Sequence, residues 1–166
     1  MSVVQRDYIE RMIEQAIQAI AQILELVRAG DLNPALIVVH KTYDLVLGPM
    51  RPVFERVDAA SAVELVGKYE LDRLRMYAAL LGEEGAIHEL RGKAAKAEHC
   101  YRHALELYAA VSLAGARLKA ADWERIALLQ PKVEAGSIDV RYRNELQRLA
   151  GQSAPSQDEG AGIVTT

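Results

Sequence analysis

The apolar positions between residues 6 and 29 return every three or four residues. Ile9, Met12, Ile13, Ala16, Ile17, Ile20, Ile23, Leu24 and Val27 interleave with Arg11, Glu14, Gln15, Gln18, Gln22 and Glu25 at the 3.6-residue period of a helix. Gly30 closes that helix, because glycine takes the left-handed C-terminal position without strain. Asn33 as N-cap and Pro34 at the first helical position predict a second helix reaching about Leu47. Its Ile37-Val38-Val39 triplet has strand composition, but Ala35, Val39, Tyr43 and Val46 keep helical spacing and decide for helix. Gly48-Pro49 and Arg51-Pro52 then break the chain.

Five further helices follow the same signals. Ser61 with Glu64 three residues on forms a capping-box pattern, predicting a short helix through Val63, Leu65 and Val66 that stops at Gly67. A longer helix covers about 70 to 91, with Leu71, Leu74, Tyr77, Ala78 and Leu81 on one face and Gly92 after its end. Another runs from 94 to about 113. Beyond Gly115 a helix carries Trp123, Ile126, Ala127 and Leu129, with a bend expected at Pro131. Ser137 is expected to cap a last helix holding Val140, Leu146 and Leu149. From Gly151 onward Gly, Ser, Pro, Gln and Ala dominate, and residues 151–166 are expected to be a disordered tail. The tail ends Gly-Ile-Val-Thr-Thr, a short apolar terminus of the kind that can serve as a docking peptide.

Composition narrows the classes. About half of the 166 residues are apolar, enough for a core in one domain spanning residues 1–150. The net charge of −3 argues against a nucleic-acid partner, which needs a clustered basic face. Arg141, Arg143 and Arg148 make the last helix basic, but acidic residues interleave, so a solvated face is expected there. Charges interrupt every apolar run before ~18 residues, so no membrane span is expected. The single cysteine, Cys100, excludes an intrachain disulfide and fits a reducing, cytoplasmic compartment.

The stretch Leu81 to Tyr108 resembles a tetratricopeptide repeat. Gly85 and Gly92 stand at that family's small first-helix and turn positions, and Ala97, Tyr101 and Ala104 make its small–aromatic–small series. Small residues let two helices approach, and one tyrosine ring fills the gap between them. Leu81 replaces the family's first aromatic, Glu84 its leucine, and the closing proline is missing near Ala109. A weaker copy spans residues 16 to 47, where Gly30, Asp31, Leu32 and Ala35 match but Val39 and Thr42 do not. The two turns do not lie one repeat apart, so a regular array is not expected. The layout is also similar to a group of small bacterial all-helical proteins, a likeness that implies no activity. The expected fold is all-α: an irregular bundle of about six to seven helices built on two tetratricopeptide-like antiparallel hairpins.

The first helix carries more apolar surface than one neighbour covers. Ala19, Ile23 and Leu26 should pack on the second helix. Ile13, Ile17, Ile20, Leu24 and Val27 need other cover, either later helices of this chain or a partner, which marks them as a candidate partner-binding face. The seam of Gly85, Gly92, Ala97, Tyr101 and Ala104 reads as hairpin packing.

Catalytic and cofactor motifs are not evident. His99 and His103 are four apart on one helix face, as a metal pair would be, with His88 and Glu98 nearby in sequence. A solvated surface is the expected reading, since both should point away from the Ala97–Tyr101–Ala104 seam. Cys100 sits mid-helix, where no helix N-terminus activates its thiol, and reads as a packed cysteine. The glycines at 82, 85, 92 and 115 lack phosphate-cradling spacing. The leading expectation is a non-enzymatic protein–protein interaction module, an adaptor or homodimeric scaffold, without cofactor or metal. A small-ligand sensor with a pocket near Tyr43, Tyr77, Tyr101 and Trp123 is the alternative. A metal-dependent enzyme using His88, His99 and His103 is the third.

Overall fold

The computed structural model describes residues 2–152. Every regular element among them is helical: α1 (Val3–Arg28), α2 (Leu32–Leu47), a single-turn α3 (Arg51–Phe54), α4 (Ala59–Val66), α5 (Leu71–Leu90), α6 (Ala94–Leu113), α7 (Ala120–Leu129) and α8 (Val140–Ala150). The chain is thus an all-α bundle of seven helices plus one extra turn. The expected docking peptide at the C-terminus and almost all of the expected tail lie outside the described residues.

The helix ends are set by glycine. Gly30, Gly67, Gly92 and Gly115 all have positive φ, and each follows a helix that the period predicts. The starts differ from expectation. Asp31, Asp58 and Asp139 occupy the N-cap positions, not Asn33, Ser61 and Ser137. Asp58 accepts a hydrogen bond from the Ser61 N–H at 2.8 Å, and Asp139 from the Arg141 N–H at 2.9 Å. A carboxylate at the cap meets both the free N–H groups and the positive end of the helix dipole. The displaced residues take other roles. Pro34 lies within the first turn, where no intrahelical donor is lost, and Asn33 accepts a hydrogen bond from the Arg91 guanidinium. Gly48-Pro49 tightens the chain into a 3₁₀ turn (Gly48–Met50) rather than ending helical structure. At Pro131 the helix ends instead of bending: α7 stops at Leu129 and a 3₁₀ turn takes over.

Two antiparallel hairpins form the frame, α1/α2 and α5/α6, with α5 packed against both helices of the first. The helices α4, α7 and α8 cover α6, and α7 also meets α5. Gly85 on α5 sits where a β-carbon would fall 2.5 Å from Cε1 of Tyr101 on α6. The tyrosine ring therefore lies directly on the glycine, and Ala97, Tyr101 and Ala104 are all buried. Two polar ties fix the outer helices. Arg75 on α5 reaches the fully buried Asp122 on α7 at 2.8 Å. Ser112 on α6 donates to Glu145 on α8 at 2.8 Å. Each carboxylate keeps a charged or hydroxyl partner, which is the condition for burying it without a large penalty.

Candidate functional site

Two regions hold side chains that packing alone does not use, and they lie on opposite faces of α5. The first is an apolar groove of about 270 Å³ between the C-terminal half of α1, α5 and α7. Its floor is Ala78, Ala79, Gly82 and Ala86 of α5, and its walls are Leu24 of α1 with Leu128 and Leu129 of α7. Residues 78, 82, 86 and 89 follow the helical period, so one face of α5 carries only small side chains there until Glu89. Tyr101 closes one end by donating its hydroxyl hydrogen to Glu89, and Lys132 holds the same carboxylate at 2.8 Å. The ammonium also lies 5.3 Å from the centre of the Tyr101 ring. Glu83 also lines the groove; burial raises its carboxyl above the ordinary range, and Arg125 opposes that.

The face expected on α1 is divided by the fold. Ile20 is buried at 3 % exposure and belongs to the core. The reason is that α1 packs against α2 and α5 together, so its buried stripe runs Ile9, Met12, Ala16, Ile20 and Ile23, centred between the two neighbours. Ile13 and Val27 are half-buried beside that stripe. Ile17 at 54 % and Leu24 at 37 % stay exposed, seven residues apart on one face, and Leu24 is also the lip of the groove. Leu128, at 68 %, stands on the opposite lip.

The second region is a polar cluster between α2, α5 and α6. Glu84 and His88 are one turn apart on α5, and Cys100 faces them from α6. One donor atom from each lies within 4.8 Å of the others. The thiol donates to Glu84 Oε2 at 3.1 Å. Nε2 of His40, on α2, is 3.7 Å from Glu84 Oε1. Arg51 approaches Nδ1 of His40 at 2.7 Å. A guanidinium can only donate, so Nδ1 accepts and Nε2 carries the hydrogen on the side of Glu84, at a distance longer than a hydrogen bond. Burial, then the Glu84 carboxylate, pushes the Cys100 thiol well above its ordinary range. Burial holds His88 below the usual histidine value, and the Glu84 carboxylate opposes that. Two polar atoms here are sealed from solvent with no hydrogen-bond partner among the described residues, Nδ1 of His88 and the hydroxyl of Tyr43.

The histidines expected as a set are separated. His99 and His103 do come together, with ring centres 6.4 Å apart, but His88 joins Glu84 and Cys100 instead. His103 is not a solvated residue: it stacks edge-on against Tyr77 at 5.6 Å, and burial with the neighbouring His99 lowers it to about 4. The tyrosines expected around a common pocket are divided too. Tyr43 and Tyr77 pack edge-on at 5.5 Å within the core, Tyr101 lines the groove, and Trp123 lines a different opening beside α8. Glu84 and His88 stand in i, i+4 spacing, a signal the expected histidine set did not draw on; that Cys100 completes the cluster depends on how α6 lies on α5.

The fold places the chain in the class of all-α helical bundles. No family model, curated protein or solved structure matches it. Among the described residues no helix is long and apolar enough to cross a membrane.

Proposed function

We propose that this chain is a non-enzymatic protein–protein interaction module, a homodimeric scaffold in which α1 packs against α1 of a second copy. The observation that carries this reading is the exposed apolar pair Ile17 and Leu24, seven residues apart on one face of α1, with Leu24 also on the lip of the groove. Two copies of α1 running antiparallel set Ile17 of one against Leu24 of the other. That register brings Ala21 to the crossing point, where a small side chain permits close approach, and Arg28 beside Glu10 and Glu14 of the second copy. The contact is isologous and closes on itself. At 26 residues α1 is about 39 Å long, so the pairing extends well beyond the two leucine–isoleucine contacts. The tetratricopeptide likeness of Leu81–Tyr108 supports a binding role, and the single cysteine supports a cytoplasmic one.

Sedimentation of the purified chain over a range of concentrations tests the proposal. A dimer is expected, and Ile17→Glu with Leu24→Glu should convert it to a monomer with unchanged helical circular dichroism. Arg28→Glu should weaken the dimer, and adding Glu10→Arg and Glu14→Arg should restore it. A monomer at every concentration, or a dimer indifferent to the Ile17 and Leu24 changes, overturns the reading.

A further inference from the structure

We propose that Glu84, His88 and Cys100 form a binding site for one zinc-type divalent metal ion at the α5–α6 seam, a site distinct from the groove and independent of self-association. The donor set is one thiolate sulfur, one imidazole nitrogen and one carboxylate oxygen, the mixture that suits zinc and its neighbours rather than calcium or magnesium. An ion held at ~2.0–2.3 Å from each donor spaces its ligands roughly 3.3–3.8 Å apart. Glu84 and Cys100 are already 3.1 Å apart, and all three donors fall within 4.8 Å, so side-chain rotation alone completes the geometry. No backbone movement is needed, because Glu84 and His88 share one helix face and the Gly85–Tyr101 contact fixes α6 against it.

Three features of the surroundings favour an ion. Nδ1 of His88 is buried without a partner, an arrangement that costs free energy until something occupies it. Nε2 of His40 stands 3.7 Å from Glu84 while Arg51 holds the far side of its ring, so His40 is placed to support a ligating carboxylate from the outer shell. The hydrogen that Cys100 now gives to Glu84 is the one the ion would displace: the S–H bond breaks, sulfur bonds to the metal, and the proton leaves to solvent. With three protein ligands, the fourth position of a tetrahedral ion is left to water or to another small donor.

The test uses the reduced full-length chain and cobalt(II) as a visible zinc substitute. One equivalent should bind with sulfur-to-cobalt charge-transfer absorption, and zinc should bleach it. Cys100→Ser should abolish the charge-transfer band. His88→Gln, a half-exposed position that leaves the fold intact, should weaken binding beyond the ~10–100-fold expected for loss of an outer-shell partner. His40→Ala should fall within that ~10–100-fold range. His99→Gln with His103→Gln should change nothing. Zinc should raise the thermal midpoint of the native chain and not that of Cys100→Ser. Absence of the charge-transfer band in the native chain overturns the proposal. So does a band that survives Cys100→Ser, or one lost with the His99 and His103 pair. Because Ile17→Glu with Leu24→Glu should bind cobalt normally, failure of the dimer leaves this test unaffected.

Discussion

The hairpin α5/α6 buries 11 of the 20 residues of α5 and 10 of the 20 of α6, whereas α1 of the other hairpin buries five of 26. Both hairpins turn on a glycine with positive φ, Gly92 in one and Gly30 in the other, so the local chemistry of the turns is shared. What differs is position. α5 is contacted by α1, α2, α4, α6 and α7, and more than half of its residues are buried. α1 lies at the edge and keeps five large apolar side chains in water, Val3, Val4, Tyr8, Ile17 and Leu24. The central hairpin therefore holds stability and a buried polar cluster, and the peripheral one offers a surface. A helix packed against neighbours on several sides has little amphipathic pattern, and that is why the sequence marked α1 more clearly than it marked α5.

Substitutions should separate the two hairpins. Removing the ring at the centre of α5/α6 should do most harm: Tyr101→Ala lowers unfolding free energy by about 3–5 kcal/mol, the range for deleting a buried aromatic, read from denaturant titration. Gly85→Ala has a smaller effect, and its sign depends on that ring. In the native background the new β-carbon meets Tyr101, and overpacking should cost about 1–2 kcal/mol after the gain in helix propensity. In the Tyr101→Ala background the ring clash is gone, the Ala97 carbonyl oxygen 3.2 Å from the new β-carbon has vacated space in which to shift a few tenths of an ångström, and the same change should stabilise by up to ~1 kcal/mol. A destabilising Gly85→Ala in both backgrounds would break the account of the seam.

Acid should act on the central hairpin next. His103 is held at about 4 in the folded chain, against ~6.5 when unfolded. Between those values the unfolded chain binds a proton that the folded one refuses. Stability present above pH ~6.5 is therefore lost as pH falls toward 4. The thermal midpoint should drop over that window, and His103→Gln should flatten the drop. At the periphery, Ile17→Ala should change stability by less than ~0.5 kcal/mol while weakening self-association in the same sample. A large loss of stability there would mean that the α1 ridge is packing surface and would erase the contrast.

Several parts of the fold were legible in the sequence for a definite reason. The helices from Leu71 to Leu90 and from Ala94 to Leu113 end where glycine with positive φ permits the left-handed turn, and no other residue type competes for that conformation. The N-termini were less legible because several capping residues compete within one turn. Asp58 and Ser61 are both good caps, as are Ser137 and Asp139, and the winner depends on the path of the preceding chain. The candidate sites were legible only in halves. Ile17 and Leu24 could be placed on the first helix, but Ile20 beside them could not be assigned to the core without knowing that α1 touches two helices. Glu84 and His88 share i, i+4 spacing, but no local pattern joins them to Cys100.

The sequence by itself determined that the chain is helical and where the main turns fall. These follow from periodicity, backbone conformation and side-chain size, which act over a few residues. Tertiary structure alone decided which face of α1 stays open, that His103 is half-enclosed and His88 faces a thiol, and that the groove floor is a row of alanine and glycine. Each depends on the register and rotation of one helix against another. Those are set by the summed packing of many residues distant in the chain, so no local pattern records them.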